Sequence, residues 1–314
     1  MRRNNSIELL RIVLMACIVL CHVRWLYLPE EAVGIGLKSL AVAVNFHVDA
    51  FVLISGYFGI RQRWHALCKN YVLCLFYAVV LGLVSWSATG NSHWTWMLMP
   101  WSRDLWWFMS TYFLLILVAP WIEQLLGRMK AREQGMVALS LLMANMLLGF
   151  LKVVPLHYSG GLPQLNFVTL YCLGICLREN RLATGLKRST LLLGVLLMAG
   201  CNLALAHLQG SSLIPYDVLS YASPVTILQA LCVLMLFLTW RVPERKALTY
   251  YSSSIMAVYL ITEYPVCREW LRTVCTTHCP DHPVLALAFI LLLTALVLTS
   301  CVILDKIRKL IHLS

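Results

Sequence analysis

The sequence predicts an all-α, polytopic membrane protein of about ten transmembrane helices, with both termini in the cytoplasm. The chain has 314 residues, 60% of them hydrophobic and only 12% charged, and its mean hydropathy is +0.77. An average soluble protein is about 25% charged, so this composition excludes an ordinary soluble domain. Several apolar runs reach the roughly 20 residues that a helix needs to cross a bilayer. We predict one integral membrane domain over residues 1–314, with no soluble domain appended.

The basic residues set the orientation of the helices and do not indicate nucleic-acid binding. The net charge is +11, but most of the 25 lysines and arginines fall in short clusters between apolar runs. Such clusters are typical of the cytoplasmic segments of membrane proteins, and they fit an N-terminus on the inside. To within a few residues, the predicted spans are 7–28, 37–59, 69–88, 104–126, 135–154, 162–178, 189–208, 222–241, 249–271 and 282–304.

The first span carries ionisable side chains inside an apolar run, namely Glu8, Arg11 and His22. A charged group near the helix centre costs about 2.5–3.5 kcal/mol on insertion scales, so such groups usually face a polar interior. The spacing of Arg11 and His22 places them on one helix face, about 16 Å apart along the axis. Glu8 lies three residues before Arg11, close enough to pair with it. We interpret this face as the lining of a reaction site that extends from the guanidinium of Arg11 to the imidazole of His22, which lies deeper in the membrane.

The second span adds polar side chains at membrane depth. His47 and Asp49 fall at depths from which either could reach His22, if the two helices are antiparallel. Pairing of Asp49 with His47 or with an arginine is the alternative. Further along, Ser55 and Gly56 predict a close approach between helix backbones near the inner surface.

The outer segment before the fourth span is dense in tryptophan. We interpret it as an interfacial aromatic belt, because tryptophan is enriched where a membrane meets water. Stacking against a sugar is the alternative. The residues are Trp94, Trp96, Trp101, Trp106 and Trp107.

Two groups of side chains on the outer side are weaker indications of a functional site. Glu263 and Arg268, near the outer end of the ninth span, form either a structural pair or a functional one. Cys275 and Cys279 lie near further metal-ligating side chains but do not match the usual zinc spacings, so we predict no metal. A disulfide between the two cysteines stays open. The neighbouring side chains are His278, Asp281 and His282.

Five segments in register resemble the type-3 membrane acyltransferase family. Its members O-acylate, and most often O-acetylate, surface polysaccharides, lipopolysaccharide O-antigens and other envelope glycans. No single motif is specific, but the five cover nearly the whole chain in order. They are Arg11 with His22; Val-Asp-Ala-Phe-Val-Leu-Ile-Ser-Gly-Tyr-Phe at 48–58; Leu105-Trp106-Trp107-Phe108 with Ala119-Pro120; Tyr171-Cys172-Leu173-Gly174; and Ser253-Ser254-Ile255 with Val258-Tyr259-Leu260-Ile261.

The resemblance implies roles for individual residues. It makes His22 the catalytic histidine and Arg11 a cation that helps to hold the acyl-CoA donor from the cytoplasmic side. Arg61 and Arg63 resemble the family's basic motif at the start of the third span, and the region of Lys69 offers another equivalent. The alternative for these three residues is the ordinary positive charge of an inside loop.

The residues suit acyl transfer chemically. A sugar hydroxyl needs a base before it attacks a thioester, and imidazole, with an unperturbed pKa near 6.5, is suitable. A carboxylate such as Asp49 could hold the tautomer of His22, as the acid does in a catalytic triad. Arginine binds phosphate bidentately, and the distance from Arg11 to His22 is comparable to the reach of a pantetheine arm. Direct transfer and an acyl-histidine intermediate both stay open.

The chain departs from the family pattern in two places. Relatives often carry a histidine after the Tyr-Leu-Ile of the ninth span, where this chain has Thr262 and Glu263. Many relatives also append an extracellular esterase-like domain. Because this sequence stops after its tenth span, we expect it to complete transfer itself or with a partner.

We therefore expect a bacterial inner-membrane O-acyltransferase, most often an O-acetyltransferase. It would use cytoplasmic acetyl-CoA or another acyl-CoA as donor, an envelope glycan or lipid-linked saccharide as acceptor, and no metal. Membrane lipid is an expected partner, nucleic acid is not, and a homo-oligomer is compatible with the sequence. The alternative is a transporter or flippase for polysaccharide or lipid-linked glycan, since ten spans and buried charge also suit translocation. The enzyme is favoured because intramembrane charge concentrates in the first two helices and broken helix pairs are not evident.

Overall fold

The structure is a computed structural model that describes residues 4–23, 35–60, 63–90, 94–101, 105–151, 162–183, 185–210 and 220–311. Regular structure in these ranges is helical, which confirms the predicted all-α class. The helices are α1 (Asn5–His22), α2 (Ile35–Ala43), α3 (His47–Phe58), α4 (Arg63–Thr89), α5 (Trp94–Leu98), α6 (Trp107–Gly127), α7 (Ala131–Asn145, continued by a π-helical turn, Met146–Phe150), α8 (Pro163–Glu179), α9 (Arg188–Gly210), α10 (Pro224–Thr239), α11 (Lys246–Ser252), α12 (Ile255–Thr262), α13 (Pro265–His278) and α14 (Pro283–Leu310).

The chain is a multi-pass membrane protein by the length and composition of its helices. Within the described ranges, seven helical stretches are long and apolar enough to cross a bilayer, and α10 is a shorter apolar helix. Each of the ten predicted segments contains helix, but the orientation of the termini stays a prediction. The seven stretches are Asn5–His22, Ser39–Phe58, Trp64–Thr89, Trp107–Gly127, Ala131–Phe150, Arg188–Gln209 and Pro283–Leu310.

The surface of α9 shows the effect of a lipid environment on side-chain placement. Leu192, Leu193, Leu196 and Leu197 form one outward face and are between 49% and 65% exposed. A contiguous apolar face of this kind is rare on soluble monomers, because water penalises it. Hydrocarbon carries no such penalty, so the face fits a helix that contacts lipid.

Two of the predicted spans are broken, contrary to the expectation of continuous helices. The second span divides into α2 and α3 at a turn over residues 44–46. The ninth divides into α11, α12 and α13, with turns at Ser253–Ser254 and Glu263–Tyr264. Pro265 opens α13, where its missing N–H costs nothing because the first turn of a helix leaves that group unpaired. Serine hydroxyls at the other break compete with the backbone for hydrogen bonds.

The described residues form two compact units that are interleaved along the sequence. Unit 1 comprises Met1–Ala41, Leu67–Ser110 and Pro243–Ser314, and unit 2 comprises Val42–Ala66 and Thr111–Val242. In unit 1, α1 packs against α11, α12 and α14, and α12 also contacts α13 and α14. In unit 2, α3 packs against α8 and α10, α8 against α7, and α10 against α9.

Glycines allow α3 and α8 of unit 2 to touch backbone to backbone. A Cβ atom at Gly174 would lie 2.6 Å from the carbonyl oxygen of Leu53, and one at Gly56 would overlap the carbonyl oxygen of Tyr171. The close approach predicted from Ser55 and Gly56 is therefore confirmed. In lipid, where apolar surface gains little by burial against another helix, such contact supplies the packing energy.

Candidate active site

A carboxylate and an imidazole meet in unit 1 where α1 and α12 end. Helix α1 begins after Asn4, whose side chain accepts a hydrogen bond from the Ser6 N–H, and it runs unbroken to His22. Helix α12 ends at Thr262, which leaves Glu263 as its C-cap residue. The two helices pack together, and His22 Nδ1 lies 2.8 Å from Glu263 Oε1, an ion-pair distance if the ring is protonated.

The pair is largely withdrawn from solvent but remains reachable. The side chain of His22 is 21% exposed and that of Glu263 is 10% exposed. Because Nδ1 faces the carboxylate, the ring is held in one orientation and Nε2 is the nitrogen left for a reacting group. The sequence indicated both residues but did not indicate that they meet.

Helix α13, which follows α12, supplies a cation close to this pair. Arg268 interacts electrostatically with Glu263, as the sequence suggested. A pocket of about 220 Å³ lies along the same helix and is lined by Pro265, Arg268, Glu269 and Arg272. Arg272 Nη1 is 3.8 Å from Glu269 Oε2, and both side chains are more than half exposed, so this contact adds little to stability.

The ion pair predicted near the start of α1 is present. Arg11 Nη1 donates to Glu8 Oε1 at 3.1 Å, and Glu8 is buried while the Arg11 side chain is 38% exposed. A guanidinium has five N–H donors, so this contact leaves others for a ligand. Since α1 is unbroken between Arg11 and His22, the expected axial separation of about 16 Å holds.

Trp106 fixes α12 behind the candidate pair. Its Nε1 donates to the carbonyl oxygen of Leu260 at 3.1 Å, and its ring packs against Tyr264 with centroids 6.2 Å apart. The Phe108 N–H donates to the hydroxyl of Tyr259 at 3.3 Å. Trp106 is fully buried, so the aromatic-belt prediction is wrong for this residue. Burial with an indole N–H partner fits a core tryptophan.

Asp49 lies in unit 2 and has a partner that the sequence did not suggest. It is fully buried, and its Oδ1 accepts a hydrogen bond from Asn166 Nδ2 at 3.2 Å. Asn166 Oδ1 in turn accepts from Asn145 Nδ2 at 2.8 Å. Among the described residues, Asp49 shows no contact with His47 or with an arginine, and the ring of His47 packs edge-on against Tyr221. Asn145 and Asn166 could have been found from the sequence, because a polar side chain inside an apolar span is costly unless it has a partner.

The carboxylate that the structure shows in contact with His22 is that of Glu263. A role for Asp49 in orienting His22 stays a prediction.

The other predicted donor-side residues are placed only in part. Ser55 Oγ donates to the carbonyl oxygen of Phe51 and lies 3.1 Å from the hydroxyl of Tyr112. Lys69 is exposed on α4. Arg61 and the side chain of Arg63 lie outside the described residues.

A polar cluster in unit 2 holds the end of α3, just before Arg61 in the sequence. The hydroxyl of Tyr171 donates to Glu123 Oε1 at 2.6 Å and accepts from the Ile60 N–H at 3.2 Å. Arg178 Nη1 donates to the carbonyl oxygen of Tyr57 at 3.3 Å. Sequence reasoning missed this cluster, although Tyr171 belongs to one of the quoted motifs.

The cysteines offer no site in the described ranges. Cys275 and Cys279 are free thiols, and no group of three potential metal ligands comes together in the described residues.

Comparison with known proteins identifies the family. A family model described as an acyltransferase domain, that of acyltransferase family 3, matches residues 4–306. Searches of curated proteins and of solved structures found no match. The family match spans α1 with Arg11 and His22, the polar segment of α3, and α12 with Glu263, in agreement with the resemblance seen in the sequence. The chain belongs to the type-3 family of membrane acyltransferases.

Proposed function

We propose that the protein is an O-acetyltransferase of the bacterial inner membrane. It transfers the acetyl group of cytoplasmic acetyl-CoA to a hydroxyl of an envelope glycan or lipid-linked saccharide. The observation that carries the proposal is the contact of 2.8 Å between His22 and Glu263, on the helix that also bears Arg11. Family membership supports acyl transfer, and the donor and acceptor are our proposal.

In the simplest mechanism, His22 acts as a general base. The acceptor hydroxyl gives its proton to Nε2 while its oxygen attacks the thioester carbonyl. The tetrahedral intermediate then expels the coenzyme A thiolate, and this sulfur takes the proton from the imidazolium. Glu263 holds the ring by its Nδ1 edge and stabilises the positive charge that the ring carries between these steps.

The same residues serve a covalent route. Nε2 attacks the thioester carbonyl, coenzyme A leaves as its thiolate, and Glu263 balances the charge of the acyl-imidazolium that forms. The acetyl group then passes to the acceptor oxygen, the thiolate takes up the proton that the acceptor hydroxyl loses, and the neutral imidazole is regenerated.

Charge supports the proposed direction of transfer. Arg11 is partly exposed about one pantetheine length from His22, so a nucleotide held near Arg11 could present its thioester to the ring. We assign Arg61, Arg63 and Lys69 to the same donor side, following the family resemblance. The pocket lined by Arg268 and Arg272 lies on the Glu263 side and is where we place the acceptor.

A transporter remains the competing function, because the breaks in the second and ninth spans remove one argument against it. Broken helices near the membrane midplane often form transport sites. Membership of an acyltransferase family favours the enzyme.

The test measures acetyl transfer in membranes that contain wild type or His22→Ala at matched expression, with radiolabelled acetyl-CoA. We expect label in envelope glycan, released by mild base, only from wild type. His207→Ala, which removes an exposed histidine on α9, is the matched control and should transfer normally. Equal transfer by His22→Ala would exclude His22 as base or acyl carrier. Failure of wild type to consume acetyl-CoA would favour the transporter.

A further inference from the structure

A second cluster of cations lies in unit 1, at the turn where α12 begins. Lys306 Nζ donates to Ser253 Oγ at 2.8 Å, and Lys309 Nζ donates to the carbonyl oxygen of Ser253 at 2.9 Å and to Ser254 Oγ at 3.1 Å. Two ammonium groups from the last turns of α14 therefore converge on one serine pair. Ser253 is exposed and the Lys309 side chain is 31% exposed, whereas Ser254 is buried, so the turn is open to solvent on the Ser253 side.

A buried carboxylate holds this cluster in place. Asp305, which is 1% exposed, lies 2.7 Å from Lys309 Nζ and 2.8 Å from Arg308 Nε, and accepts a hydrogen bond from the Tyr77 hydroxyl at 3.0 Å. Lys306 Nζ sits 4.0 Å from the ring centroid of Tyr250. The segment from Asp305 to Lys309 thus carries three cations and one acid, of which Arg308 and Lys309 contact the acid. Its net positive charge attracts anions.

The cluster and the reaction pair are joined by α12. Ser254 is the N-cap of this helix and Glu263 is its C-cap, nine residues later, which corresponds to about 13 Å. Along the packed neighbour α1, Arg11 lies about 16 Å from His22, so Arg11 and the serine turn fall at similar distances from the reaction pair. Asn5 Nδ2 also donates to the Pro243 carbonyl oxygen at 2.9 Å, which ties the start of α1 to the segment before α11.

We infer that Lys306 and Lys309 bind a phosphate group of the coenzyme A nucleotide at the serine turn. This inference rests on the proposed function, since it assigns the donor end of the same site. Ammonium groups bind phosphate as point charges, and an axial distance of about 13 Å suits a thioester arm that ends at His22. The headgroup of an anionic lipid carries the same phosphate chemistry, so the experiment must separate the two sources.

The experiment measures binding of coenzyme A, dephospho-coenzyme A and pantetheine to the full-length protein in nanodiscs of phosphatidylcholine. We expect the double variant Lys306→Gln/Lys309→Gln to bind coenzyme A roughly tenfold more weakly than wild type, with pantetheine affinity unchanged. Lys130→Gln/Lys187→Gln removes two exposed lysines of unit 2 and should bind coenzyme A as wild type does. Lys306→Arg keeps the charge and should retain affinity. Because Lys309 contacts Asp305, the single variant Lys306→Gln serves if the double variant fails to fold.

The outcomes separate the inference from the proposed function. Wild-type affinity in the Lys306 and Lys309 variants would overturn the inference and leave the acetyl-CoA proposal intact. Absence of coenzyme A binding in wild type would overturn both. Repeating the measurement in discs with phosphatidylglycerol tests the lipid source: if the variants change only stabilisation by that lipid, the cluster is a lipid site and the inference is wrong.

Discussion

Replacing Glu263 by glutamine tests the reaction pair directly, because it removes the charge and keeps the shape. The carboxylate is 2.8 Å from His22 Nδ1 and its side chain is 10% exposed, so solvent screens the contact little. Hydrogen bonds to charged groups contribute about 1.5–3 kcal/mol, and each 1.36 kcal/mol changes a rate tenfold. We therefore expect kcat for acetyl transfer to fall roughly 10- to 150-fold, with KM for acetyl-CoA unchanged.

The assay is steady-state release of coenzyme A by purified protein, with an acceptor present and with folding verified by thermal unfolding. Glu263→Asp retains the charge and should fall between wild type and Glu263→Gln. Asp281→Asn removes an exposed carboxylate in the loop before α14 and should leave kcat unchanged. Full kcat in Glu263→Gln, or an effect confined to KM, would refute a role for Glu263 in stabilising the imidazolium.

Two further predictions concern the stability of unit 2. Gly174→Ala places a Cβ 2.6 Å from the Leu53 carbonyl oxygen and should destabilise the protein by about 1–3 kcal/mol, whereas Gly200→Ala, with open space around it, should stabilise by about 0.5–1 kcal/mol. The midpoints of thermal unfolding in detergent measure both, and equal shifts would contradict the packing argument. Asn166→Ala should cost about 1–3 kcal/mol, since it removes the hydrogen bond to the buried Asp49 carboxyl. In an Asp49→Asn background this cost should shrink, and an unchanged cost would contradict the reasoning.

Much of α1 could be predicted from the sequence because its signal is local. Arg11 and Glu8 are three residues apart on one helix, so their pairing follows from helix geometry alone. His22 stood out because an ionisable side chain is expensive in an apolar run. The Gly56 contact was also local in origin, since a small residue in a span marks close packing.

The partner of His22 could not be predicted in this way. The position of Asp49 along its helix suggested that it could reach His22. That position does not determine which face of the helix points toward His22 or which helices pack against each other. Which spans pack together is decided by the tertiary structure, and in unit 1 it is α12 that brings Glu263 to the ring. The break that makes Glu263 a cap was missed, although Pro265 and the charged side chains of α13 after it were signals of a helix boundary.

The break at Glu263 has an electrostatic consequence for the reaction. Glu263 caps the C-terminus of α12, and α13 begins two residues later at Pro265, so the end of one helix and the start of another meet beside the pair. A helix end carries the equivalent of about −0.5 elementary charge and a helix start about +0.5, so the two helix fields oppose each other at the pair. The positive charge that His22 acquires when it takes a proton is therefore stabilised by the Glu263 carboxylate itself. That carboxylate opposes negative charge on the acetyl oxygen, so the oxyanion of the tetrahedral intermediate must be stabilised by N–H donors or cations from other elements of the protein.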